Sequence, residues 1–176
     1  QIHTGFGDPD IDLPLANPAL LRPLLEGPEG ADVTMVLLHM AYPYFREAAF
    51  MTAVWPHVHL DLSLALPFLG PGVVAPLTEV FALAPASKLL YGSDLSALPE
   101  LFALSAVWGR AALGEALATL QARGDLTEAE ALTTAATPHL DYAVAVFGPL
   151  AKIVFGAIAV TATASLINTV LGALPQ

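Results

Sequence analysis

Three polar residues stand where a parallel sheet would place catalytic groups. His39 ends the apolar run 33–38, and Asp94 follows the run 88–93. His3 opens the segment His-Thr-Gly-Phe-Gly, whose glycines allow the backbone to turn sharply and to approach a ligand. Imidazole and carboxylate groups bind divalent metal ions and transfer protons near neutral pH. These residues predict a mononuclear metal site, with Asp94 as ligand and proton acceptor.

Each of these residues also has an ordinary structural explanation. His39 could be a core histidine whose hydrogen bonds are satisfied, His3 could belong to a surface loop, and Asp94 could cap a helix. Asp61 and Ser63 are two positions apart on a predicted strand and therefore share one face of it. We expect Ser63 to contact the substrate and Asp61 to be structural.

His57 and His59 have the same spacing of two positions, which would suit a second pair of metal ligands. His57, however, lies at the start of its predicted strand, on the opposite edge of the sheet from the other candidates. Tyr42, just beyond His39 in the segment Leu-Leu-His-Met-Ala-Tyr-Pro-Tyr, is a second expected substrate contact.

The elements that must position these residues alternate between two patterns. Short apolar runs predict strands at 33–38, 58–63 and 88–93. Helical spacing lies between them, at 18–25, 44–54 and 73–83. This alternation indicates βα units around a parallel sheet, whose carboxyl edge holds the chemistry. A long helix is predicted at 99–122, and a capping box from Thr127 to Glu130 predicts one more.

Composition excludes several classes of protein. The chain has 176 residues, of which 56 % are hydrophobic, so it forms one domain or a small domain with an appendage. Its net charge is −10, and its six basic residues are scattered singly, so nucleic acid is not an expected partner. Cysteine is absent, so any metal must be held by His, Asp or Glu.

The two ends of the chain carry expectations of their own. Two residues precede His3, so we expect the chain to open within a strand and to be the C-terminal part of a longer protein. Residues 153–174 contain no charge and are long enough to cross a bilayer. A stripe of small and polar residues favours a buried or oligomer-interface helix over a membrane span. The expected location is cytoplasmic, with membrane association through 153–174 as the alternative.

Four segments together resemble one known family. They are Gln-Ile-His-Thr-Gly-Phe-Gly-Asp-Pro-Asp, Leu-Leu-His-Met-Ala-Tyr-Pro-Tyr, His-Leu-Asp-Leu-Ser and Leu-Tyr-Gly-Ser-Asp. On these segments, residues 1–130 resemble the C-terminal half of the amidohydrolase superfamily, in the amidohydrolase-related branch often joined to glutamine-synthetase-like domains. The resemblance implies an α/β fold, a partial TIM (β/α)8 barrel comprising strands five to eight. It divides the chain into a barrel half, 1–135, and an extra apolar helical tail, 136–176.

The resemblance also implies roles for the candidate residues. His3 and Asp94 would bind the metal, Asp94 would move a proton, and His39 would lie at the metal or orient the substrate. The implied reaction is hydrolysis of a C–N bond in a small molecule by metal-activated water, with His39 stabilising the developing oxyanion. Zinc is the expected metal, with manganese or iron as alternatives.

Two features of the chain depart from the family pattern. The His-x-His pair of the family's first strand is missing, and the apolar tail has no counterpart. A decarboxylase on the same scaffold, or a noncatalytic fragment anchored by its tail, are therefore alternative functions. Unpaired strand edges in a half-barrel also predict a homo-oligomer.

Overall fold

The computed structural model describes residues 1–7, 9–92, 94 and 99–136, apart from the side chains of Pro99, Phe102 and Ala136. Three parallel strands form its sheet in the order β1-β2-β3: β1 (Met35–Leu37), β2 (Val58–Asp61) and β3 (Leu89–Leu90). A single parallel bridge between Ile2 and Leu37 adds the start of the chain beside β1. The predicted parallel sheet is confirmed, although each strand is shorter than its apolar run.

Six α-helices are described: α1 (Arg22–Glu26), α2 (Phe45–Val54), α3 (Ala65–Leu69), α4 (Val74–Leu83), α5 (Pro99–Arg123) and α6 (Glu128–Ala136). Short 3-10 turns occupy Leu13–Ala16, Pro18–Leu21, His39–Ala41, Gly70–Val73 and Ala86–Lys88. The helix predicted at 18–25 is therefore divided between a 3-10 turn and α1, because Pro23 lacks the N–H that a continuous helix would need.

Local sequence signals explain where α5 ends and where α6 begins. Gly124 follows α5 with a φ of +80°, a left-handed conformation that glycine adopts without steric cost. Its N–H donates to the carbonyl of Gln121. The predicted capping box is confirmed: Thr127 Oγ1 accepts from the N–H of Glu130, and the Glu130 carboxylate accepts from the N–H of Thr127.

The core lies between the sheet and the helices. Leu37, Leu60 and Leu89 come from the three strands, are fully buried and belong to one apolar cluster. Helix α2 packs against β2, and α4 packs against α2 and α5. This packing holds the strands side by side, so that their carboxyl ends lie along one edge.

One described stretch, Ala65–Leu83, is apolar and long enough to cross a membrane by length and composition alone. It comprises α3, a 3-10 turn and α4, and one third of its most apolar window is buried in the protein. Core helices of soluble proteins have the same properties, so this is weak evidence for a span. The predicted tail segment, 153–174, lies outside the described residues.

Candidate active site at the carboxyl edge of the sheet

Four sequence-predicted residues gather where the strands end. His3 follows the bridge residue Ile2, His39 follows β1 after one residue, Ser63 follows β2, and Asp94 lies beyond β3. The rings of His3 and His39 meet edge to face with centroids 4.4 Å apart. His39 Nε2 lies 3.7 Å from Asp94 Oδ2. His3 and Asp94, which are 91 positions apart in the sequence, thus both lie next to His39.

The backbone fixes the position of His3 relative to His39. The N–H of Ile2 donates to Val36, and the N–H of Leu38 donates to Ile2. Thr4 is buried, and its hydroxyl donates to the carbonyl of Leu38 over 3.1 Å. These bonds hold the two segments in register immediately before each histidine.

Gly5 allows the closest approach between these two segments. It has a φ of +71°, and a Cβ added there would lie 2.3 Å from the carbonyl carbon of Ala41 and from the oxygen of Tyr42. No side chain fits in that space. The N–H of Phe6 then donates to the Tyr42 carbonyl over 2.6 Å.

The backbone is strained at the candidate residues themselves. His39, Met40 and Ala41 have φ values of 66°, 54° and 49°, and Asp94 has a φ of 49°. Non-glycine residues rarely adopt these left-handed conformations, and such residues cluster at functional sites. The strain thus coincides with two of the residues chosen from sequence.

Burial divides the site into an inner and an outer part. His39, Asp61 and Ser63 are 1 %, 2 % and 4 % exposed. His3 is exposed, and the side chain of Asp94 is 56 % exposed. We call the first three residues the inner group and the latter two the outer pair.

Hydrogen bonds join the inner group. Ser63 Oγ donates to Asp61 Oδ2 in a short hydrogen bond, and it lies 3.2 Å from His39 Nδ1. Burial raises the pKa of Asp61 to about 6, while the hydrogen bonds from Ser63 and from the backbone of His39 oppose this rise. Asp94 raises the pKa further by charge repulsion.

The structure adds a neighbour that the spacing of Asp61 and Ser63 did not predict. Their spacing predicted a shared face, and the fold buries both beside His39, with the Ser63 hydroxyl between Asp61 and His39. The expected roles, structural for Asp61 and substrate contact for Ser63, stay predictions. Tyr42 is half-buried and packs against Phe6, whose ring also faces His39 at 6.3 Å. His57 and His59 are both half-buried.

The donor types of the outer pair suit a divalent metal ion, because imidazole and carboxylate both bind zinc. Within the described ranges, no group of three His, Asp or Glu side chains is arranged to hold a metal ion. Catalytic zinc sites use three protein ligands. His3 and Asp94 therefore fit as part of a coordination shell.

A cavity of about 350 Å³ opens beside His3 and is lined further by Asp10, Ile11, Asp12, Leu15 and Ala16. Its volume suits a small molecule. A larger cavity of about 530 Å³ lies against α2, where Arg22, Arg46 and Trp55 contribute to its wall. None of the candidate site residues lines that second cavity, so its size does not make it the site.

A parallel sheet with histidine, serine and aspartate at its carboxyl edge defines an α/β protein whose polar residues gather where such folds place their chemistry. Residues 1–148 match the model of the amidohydrolase family, and the chain belongs to that family. This confirms the family expected from the four sequence segments.

Two relatives extend this assignment. Protein fluG of Emericella nidulans is 37 % identical over 137 residues, which cover 77 % of this chain and 16 % of that protein. A crystal structure from Lactobacillus casei ATCC 334, described as a metal-dependent hydrolase, is 41 % identical with a TM-score of 0.57. That match covers 63 % of this chain and 29 % of the other. The chain thus spans about a sixth of the curated relative and under a third of the solved structure.

Proposed function

We propose that this chain supplies part of the active site of a metal-dependent hydrolase that acts on C–N bonds of a small molecule. The observation that carries the proposal is the assembly of His3, His39 and Asp94 at one sheet edge. Family membership and the similarity to a protein described as a metal-dependent hydrolase support a hydrolase-like function. The C–N bond and the substrate are our proposals.

His3 and Asp94 would hold the metal, which when bound supplies Lewis acidity and lowers the pKa of a coordinated water. Asp94 is exposed enough to accept a proton from a water molecule and to release it. His39 lies between the outer pair and the buried residues, where it can orient a reacting group. Tyr42 and Phe6 would form an aromatic wall beside it.

The remaining ligands must come from residues outside this set. We propose that the strands described here are strands five to eight of a (β/α)8 barrel and that a preceding half supplies the first-strand histidines. A glutamine-synthetase-like partner domain, a homo-oligomeric state and a cytoplasmic location remain predictions of the sequence, as does zinc as the metal.

Metal content and turnover test this proposal together. The chain combined with the preceding half of its protein, and the same combination carrying His3→Ala/Asp94→Ala, are loaded with zinc, dialysed free of excess zinc and analysed by elemental mass spectrometry. A His57→Ala/Asp32→Ala variant is the control, because it removes the same residue types away from the site. We expect zinc in the parent combination and in the control, and its loss from the first variant.

The zinc-loaded chain, alone and combined with the preceding half of its protein, is then assayed against small amides for amine release and against carboxylic acids for CO2 release. Amine release that requires Asp94 supports the hydrolase. CO2 release alone would replace it with a decarboxylase, and zinc binding that ignores the double substitution would refute the site.

A further inference from the structure

Hydrogen bonds join the side chains of the inner group. They extend from His39, which is next to the proposed metal ligands, to Ser63 and then to Asp61. Asp61 bonds to Ser63, and Ser63 bonds to His39. All three side chains are almost excluded from water. Their hydrogen-bond directions are therefore set by the protein, since water is not at hand to replace a missing donor or acceptor.

The direction follows from counting protons. A serine hydroxyl has one proton to donate, and an ionised carboxylate can only accept. Ser63 gives its proton to Asp61 Oδ2. Its oxygen can then only accept from His39 Nδ1, 3.2 Å away, so Nδ1 must carry a proton.

The surroundings of the inner group support this direction of hydrogen bonding. Burial raises the pKa of Asp61 only to about 6, so the carboxyl is ionised at neutral pH and above. A Cβ added at Gly92 would lie 3.3 Å from Ser63 Cβ and 3.4 Å from Asp61 Oδ1, so this glycine backs closely onto the pair. On the other side of the ring, Nε2 lies 3.7 Å from Asp94 Oδ2.

We propose that Asp61 and Ser63 are positioning residues that fix a proton on Nδ1 of His39 and leave Nε2 as the ring nitrogen nearest to Asp94. The catalytic meaning of this arrangement rests on the proposed function, whereas the position of the proton does not. A neutral ring of this tautomer acts at Nε2 as a ligand or proton acceptor. It can stabilise an oxyanion only after Nε2 has taken up a proton.

Nitrogen NMR reads the tautomer directly. The 176-residue chain, labelled with ¹⁵N-histidine, is studied with EDTA at pH 8 by long-range ¹H–¹⁵N correlation, and the His39 signals are assigned by their loss in His39→Gln. We expect Nδ1 to carry a proton in the parent chain.

Two variants should move the proton, and one should leave it in place. Asp61→Leu removes the acceptor of the Ser63 proton, so the Ser63 hydroxyl can donate to Nδ1 and the ring proton moves to Nε2. Ser63→Ala removes the acceptor and favours the same change. Ser63→Thr keeps a hydroxyl and should keep the proton on Nδ1, which a purely structural role would not predict.

The parent chain can overturn the proposal without any variant. A His39 protonated on Nε2 alone at pH 8 would do so. An Nδ1 proton that persists in folded Asp61→Leu and Ser63→Ala would also overturn it. Because the NMR measurement uses neither metal nor substrate, its result does not depend on the outcome of the zinc and turnover experiments.

Discussion

The inner group and the outer pair contain the same kinds of side chain in opposite environments. In the inner group, histidine, serine and aspartate are buried and bonded to one another. In the outer pair, His3 and Asp94 face solvent. Burial fixes geometry and shifts a pKa, whereas exposure leaves a group accessible to water, substrate and metal. The site therefore combines a buried, hydrogen-bonded group with two accessible side chains.

The largest expected effect concerns turnover and the outer pair. In the proposed hydrolase, Asp94→Asn removes the proton acceptor and should lower kcat by about 10²–10⁴-fold. Its thermal midpoint should stay close to that of the parent, because the side chain is 56 % exposed. Steady-state kinetics and thermal unfolding of the same preparation measure both. Full turnover by a folded variant would remove Asp94 from the mechanism.

The next largest expected effect is a pH-dependent change in the unfolding free energy, caused by Asp61 of the inner group. Folding raises the pKa of Asp61 from 3.8 to about 6, so stability present below pH 3.8 is lost as the pH rises through 6. At 1.36 kcal/mol per unit, this group costs about 3 kcal/mol of unfolding free energy between pH 3.5 and 7.

Urea unfolding in EDTA at several pH values isolates this contribution. Asp61→Asn should lose the corresponding part of the pH dependence, while Asp32→Asn, an exposed aspartate on the same chain, should retain it. Identical pH profiles for the parent chain and Asp61→Asn would show that burial does not perturb this carboxyl.

The smallest expected effect is a difference in unfolding free energy between variants of two adjacent residues, one exposed and one buried. His3→Ala removes an exposed ring and should change the unfolding free energy by less than about 0.5 kcal/mol. Thr4→Val removes the buried hydrogen bond to Leu38 and should cost about 1 kcal/mol. Urea unfolding of both variants checks the order. A larger loss for His3→Ala would mean that the outer pair also carries structure.

Sequence was sufficient for the parts of the fold that depend on local signals. The order of strands and helices follows from apolar runs and helical spacing, and the Thr127–Glu130 capping box appears where four residues predicted it. The sequence also selected His3, His39 and Asp94, because polar residues at the ends of apolar runs stand out in a parallel α/β pattern. Their roles remain predictions.

The tertiary structure was needed to show which of those elements pair and which side chains they bury together. Strand length depends on which neighbours pair, so β3 has two residues although its apolar run predicted six. The surroundings of Asp61 could not be read from its spacing, because its burial and the contact of Ser63 with His39 arise only when β2 lies between β1 and β3.

The sequence by itself thus determined which chemical groups are available and that they end successive strands. Only the tertiary structure decided which of them are buried together and which face water, because burial and hydrogen-bond direction depend on distant segments. His39 illustrates both parts: its position after an apolar strand made it a candidate, and the residues packed around it determine which nitrogen faces Asp94.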